Sequence, residues 1–168
     1  MRVLVSAASR YGSTLEIARA IADVLRRNGL DASAVPVDDV DDVEAFDAVV
    51  LGSGVYAGHW LKPATTLVDR FGDALAARPV WLFSSGPVGD PPRPAEDSVD
   101  VSKLLTATRA RDHRVFTGRI ERRKLRFADR AIAAALHVPD GDFRSWPDIE
   151  GWAAEIADAL SELAIADA

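Results

Sequence analysis

Apolar and polar positions alternate between two periods along this chain. Val3-Leu4-Val5 is a short unbroken apolar run and predicts a buried strand over about Val3–Ser6. Ile17, Ile21 and Leu25 then recur at helical spacing and predict a helix from Ser13 to Arg27, closed by Asn28-Gly29 as a C-terminal cap. A second strand is expected near Ala32–Val37, ahead of an acidic loop. The third, Ala48–Leu51, is apolar throughout and so is expected to be central, and a loop Gly52–His59 follows it. The spacing predicts a helix over Lys62–Ala76, with Pro63 tolerated in its first turn. Beyond it come a strand at Val80–Ser84, a Gly/Pro-rich loop Ser85–Asp97 and a helix at Val101–Ala110. The last elements are a strand at Arg114–Arg119 and helices at Arg122–Leu136 and Ile149–Ala164. Strands alternating with helices predict one α/β domain over residues 1–168, with helices on both faces of a five-stranded parallel sheet. The strand order 2-1-3-4-5 fits this length and places a ligand site at the carboxyl ends of strands one and three.

The turn between the first strand and helix is the natural anion site, because the first backbone N–H groups of a helix lack partners and its dipole favours negative charge. Ser9, Ser13 and Thr14 add hydroxyls there, Gly12 permits a tight turn, and Arg10 and Tyr11 lie between them. The S-x-x-G-x-T spacing is neither the Walker nor the dinucleotide pattern. Taken alone, it is also what an ordinary helix start would carry. Two further loops are expected at the same sheet edge. One is Gly52-Ser53-Gly54-Val55-Tyr56-Ala57-Gly58-His59-Trp60, whose glycines allow close approach of a flat ligand and whose Tyr56 and Trp60 supply aromatic faces. The other is Ser84-Ser85-Gly86-Pro87-Val88, with backbone and hydroxyl groups for a polar ring edge.

Together these residues resemble the flavodoxin-like superfamily, and Tyr56–His59, the basic Gly118–Arg130 segment and Phe143–Trp152 resemble its oxygen-independent, quinone-dependent protoporphyrinogen oxidase branch. The resemblance implies a flavodoxin-like fold and a noncovalent FMN. It implies that Ser9, Arg10, Tyr11, Gly12, Ser13 and Thr14 hold the phosphate. Ser53, Gly54, Val55, Tyr56, Ala57 and Gly58 would line the flavin ring, and Ser84, Ser85, Gly86, Pro87 and Val88 would close its pyrimidine side. His59 is the candidate proton relay, with a structural hydrogen-bonding role as the alternative. The implied activity is FMN-dependent oxidation of a porphyrinogen with a quinone as acceptor. An electron-transfer flavodoxin and a flavin-free binding module of the same fold remain as alternatives.

Charge and composition narrow these readings. The net charge is −6, which argues against nucleic-acid binding. Yet Arg109, Arg111, Arg114, Arg119, Arg122, Arg123, Lys124, Arg126 and Arg130 crowd one stretch, against only Asp112, Glu121 and Asp129. The stretch Arg119–Arg130 reads as a contact for an anionic membrane surface, as a partner for substrate carboxylates, or as a solvated helix face packing Leu125, Ile132 and Leu136 inward. With no cysteine there is no thiol nucleophile, and three scattered histidines give no zinc pattern. A phospho-receiver domain would need acids where this chain has Ser6, Ser9 and Ser53. No apolar run approaches the roughly 20 residues of a membrane span, and a cytoplasmic protein, with peripheral membrane contact as an option, is expected.

Overall fold

The computed structural model describes residues 1–86, 88 and 99–166. Its main sheet is parallel, in the order β2 (Asp31–Pro36), β1 (Arg2–Ala8), β3 (Ala48–Tyr56), β5 (Val80–Ser85) and β6 (Asp112–Phe116). A two-residue strand, β4 (His59–Trp60), folds back antiparallel onto β3. The five long strands therefore follow the expected 2-1-3-4-5 order.

Both faces of the sheet are covered, which explains why its strands read as unbroken apolar runs. Val3, Val5, Val50, Trp81 and Phe83 point to one face, against Ile17, Ile21 and Leu25 of α1 (Ser13–Arg27) and Ile149, Trp152, Ile156 and Leu160 of α5 (Trp146–Ala166). Leu4, Val49, Leu51 and Leu82 point to the other, against Ala64, Leu67, Val68 and Leu75 of α2 (Lys62–Ala76). α3 (Ser102–Thr108) packs beside α2 on that second face. The rings of Phe83, Phe116 and Trp152 form a tilted and edge-on cluster with centroids 5.6–6.2 Å apart.

Three expectations change. First, Gly52–Tyr56 continues β3 instead of opening a loop. Gly52 is there for the core, since a Cβ would lie 2.1 Å from the Phe83 ring. The chain reverses only at Ala57-Gly58, both at positive φ (50° and 79°), the backbone of a tight hairpin turn. Second, the fifth long strand ends at Phe116. A Cβ on Gly118 would lie 3.6 Å from the Gly86 backbone, and Arg119–Ile120 (β7) pairs instead with Gly141–Asp142 (β8) in a separate small ribbon. Third, Arg122–Leu136 is not one helix. A 3-10 turn at Arg122–Lys124 is followed by α4 (Phe127–Ala135), whose Phe127 and Ile132, like Leu136 just beyond it, stand exposed rather than packed into the core.

Candidate functional site

The strand register brings the carboxyl ends together: Ala8 lies beside Ser53, Gly52 beside Phe83, and Gly54 beside Ser85. Above this edge opens a cavity of about 410 Å³, within the range of roughly 300–1,000 Å³ typical of small-molecule sites. Ser9, Arg10, Tyr11, Ser13 and Thr14 form one wall, Gly54, Val55, Tyr56 and Ala57 a second, and Ser85, Gly86 and Val88 a third. All three predicted loops therefore meet at one cavity.

The β1–α1 turn is built for an anion. Gly12 is the N-cap of α1 at φ 87°, a left-handed conformation that penalises any side chain. A Cβ at Gly12 would meet nothing within 4 Å, so glycine is required there by conformation and not by crowding. The Ser9 hydroxyl accepts the Thr14 N–H at 3.3 Å. The Ser13 hydroxyl is buried, lines the cavity and has no hydrogen-bond partner among the described residues. An unpaired buried hydroxyl is costly unless something else satisfies it. Across the cavity Gly54 leaves the floor low, since its Cβ would come 3.4 Å from both Thr14 Oγ1 and the Tyr56 ring.

Other predicted residues stand outside the cavity and hold its walls. Ser53 Oγ donates to the Gly54 carbonyl and accepts the Leu61 N–H. Ser84 Oγ accepts the Trp60 indole N–H at 2.7 Å and meets His113 Nε2 at 2.8 Å. The serine hydroxyl has a proton to give and a second lone pair to offer, so it serves His113 Nε2 in either tautomer of the imidazole. Burial lowers the His113 pKa, against the opposing pull of Asp112. Trp60 is thus a buried strut rather than a face of the cavity. Gly58 belongs to the hairpin turn, and His59 is exposed beyond it. Pro87 lies outside the described residues.

Sequence reasoning missed the fourth wall, which comes from Gly118, Arg119, Ile120, Glu121, Lys124, Leu125, Asp129, Ile132, Ala133 and Val138. Its only sequence signal was the basic run itself. The wall is fastened to the β1–α1 turn by ion pairs. Arg144, whose side chain is 2% exposed, contacts Glu16 Oε2 at 2.7 Å, Asp142 Oδ2 at 2.6 Å and the Ser13 carbonyl at 3.3 Å. Arg119 adds a bidentate pair to Glu16. Burial pushes the Glu16 carboxyl up, but Arg144 and Arg119 outweigh it and hold the group below its ordinary value. The Arg144 hydrogen bond likewise holds Asp142 low. Burial raises the Tyr56 phenol, with Arg10 pulling the other way.

A doubly wound parallel sheet of this order, with a cavity over its carboxyl edge and an anion-ready first turn, defines the flavodoxin class of fold. The chain belongs to the flavodoxin-domain family, whose model matches residues 4–143. It is 25% identical to protoporphyrinogen IX dehydrogenase [quinone] of Escherichia coli (strain K12), over 94% of this chain and 95% of that protein. A cysteine-to-serine mutant of flavodoxin from Pseudomonas aeruginosa superposes with a TM-score of 0.63 at 21% identity, covering 96% of this chain and 99% of that one. The rubredoxin oxygen:oxidoreductase of Desulfovibrio gigas gives 0.62 at 15% identity over 96% of this chain, but only 36% of its own length. These structural likenesses bear on fold alone.

Proposed function

We propose that this chain is an FMN-dependent oxidoreductase that takes electrons from a porphyrinogen and passes them to a quinone. The observation that carries the flavin is the Ser13 hydroxyl, without a partner among the described residues and lining the cavity in the first turn of α1 beside Ser9 and Thr14. Ser9, Arg10, Tyr11, Gly12, Ser13 and Thr14 would hold the phosphate, and Gly54–Ala57 with Ser85–Val88 would line the ring. The bound isoalloxazine supplies the electron and hydride chemistry. The chain's own residues bind and orient it. Support for the substrate class comes from the near full-length relative named for that reaction and from Arg119 and Lys124 on the fourth wall. These cations disfavour the rival reading, a flavodoxin that serves only as an electron carrier behind an acidic face.

Titration of the apo-protein with FMN, followed by flavin fluorescence and controlled with riboflavin, tests the first half. Tight FMN binding with much weaker riboflavin binding is expected, and absence of both refutes the reading. Turnover of protoporphyrinogen with a quinone tests the second half, and a flavin-loaded protein without that turnover confines it to electron transfer. The same reading gives Arg119–Arg130 a membrane contact, because Phe127, Ile132 and Leu136 stand exposed along a segment rich in arginine. Replacing Arg122, Arg123 and Lys124 by Ser is expected to reduce co-sedimentation with anionic liposomes at low salt. Equal sedimentation removes the membrane role.

A further inference from the structure

Asp129 is the residue that joins α4 to the β1–α1 turn. It is the third residue of α4, where Arg126 is the N-cap. In a capping box an acid at this position reaches back to the N-cap N–H and satisfies it. Here the reach is bridged. The Arg126 N–H donates to the Tyr11 hydroxyl at 3.2 Å, and the Tyr11 hydroxyl donates in turn to Asp129 Oδ2. A side chain from the first turn, 118 positions away, thus completes the cap of α4. The same carboxylate holds Arg10 through Nη1 at 3.2 Å, with the guanidinium 4.2 Å from the centre of the Tyr56 ring. Asp129 is 23% exposed on a helix that is otherwise largely open to solvent. One carboxylate therefore sets Tyr11, Arg10 and, through Arg10, the face of Tyr56.

We propose that Asp129 is a positioning residue for the flavin phosphate, acting through Tyr11 and Arg10. The inference rests on the FMN reading and deepens it. The first turn of α4 and the phosphate loop then form as one unit, so a ligand that orders the loop also orders α4. Asp129 does this from the cavity's fourth wall, through the two side chains it holds. Its own negative charge would oppose a phosphate, and only its hold on Arg10 and Tyr11 makes it favourable.

The full chain tests this in two ways, with Asp129→Ala, Asp129→Asn and Tyr11→Phe. In fluorescence titrations, Asp129→Ala is expected to weaken FMN about tenfold while riboflavin changes by less than about twofold. Asp129→Asn, which keeps an acceptor for Tyr11 but loses the charge facing Arg10, is expected to fall between. In limited trypsin digestion, read by mass spectrometry at Arg122–Arg130, FMN is expected to slow cleavage of the wild type. It is expected to leave cleavage of Asp129→Ala and Tyr11→Phe unchanged. Equal loss of FMN and riboflavin affinity would reveal a merely structural role and overturn the proposal. So would tighter FMN binding by Asp129→Ala, the effect of removing a repulsive charge. FMN bound equally by wild type and Asp129→Ala overturns this proposal alone. A wild type that binds neither flavin overturns the FMN reading, and this inference with it.

Discussion

Replacing Arg144 by Leu removes the centre of the ionic network beneath the first turn of α1. The guanidinium is almost wholly buried and contacts Glu16, both oxygens of Asp142 and the Ser13 carbonyl, with its carbon 4.6 Å from the Trp146 ring centre. Breaking a fully buried pair costs about 3–5 kcal/mol, because a charge is left stranded. Here the carboxylates left behind are 39% and 42% exposed and can rehydrate, so the loss should fall below that range, at about 2–3 kcal/mol. With a urea dependence of ~2 kcal/mol per molar, the unfolding midpoint should drop by about 1–1.5 M. Far-UV circular dichroism is the assay, since tryptophan emission would also report the altered surroundings of Trp146. Arg144→Lys should recover less than half, as an ammonium cannot span both carboxylates in a plane. The sign with pH is determined. Glu16 and Asp142 titrate below their ordinary values in the folded protein, so their contribution is complete above the ordinary carboxylate range and disappears as pH falls through the lowered values. The gap between wild type and Arg144→Leu should therefore narrow in acid. A midpoint shift below ~0.3 M at neutral pH, or Arg144→Lys equal to wild type, would refute the network's role.

Two further outcomes rest on packing and on protonation. Gly52→Ala should destabilise by about 3 kcal/mol or prevent folding, because its Cβ would overlap a Phe83 ring wedged against Phe116 and Trp152. Thermal unfolding measures it, an unchanged Tm refutes it, and adding Phe83→Leu should restore part of the loss. His113 titrates below the ordinary histidine value when folded, so acidification lets the unfolded chain take up a proton first. Stability should decline from that ordinary value downward, and His113→Asn should remove this part of the pH dependence in urea titrations. An identical slope in the variant would show that another group carries it.

Local patterns announced the elements they control. α1 and α2 have the predicted bounds because Ile17, Ile21 and Leu25 keep one helical face, and because Asn28-Gly29 and Pro63 punctuate the chain nearby. Gly52-Ser53-Gly54 misled, since a glycine that makes room for Phe83 reads the same as a glycine that opens a loop. The segment after β6 was the least legible. Its 3-10 turn and short helix depend on distant partners, such as Asp140 accepting the Arg122 N–H and Tyr11 completing the cap of Arg126. Nothing in the neighbouring residues records those contacts. The cavity's first three walls lay at strand ends and were visible from topology, whereas the fourth is assembled from a ribbon and a helix that tertiary contacts create.

The cations around the cavity also bear on how a charged ligand arrives. Among the described residues, Arg10 rests on Asp129, Arg119 on Glu16 and Glu121, and Lys124 on Glu121. Glu121 is shared with Arg123 and Glu16 with Arg144, so positive charge stays in excess here and its field reaches out to an anion in solution. A phosphate reaching this doorway exchanges partners with those carboxylates, and its association rate should fall as ionic strength rises.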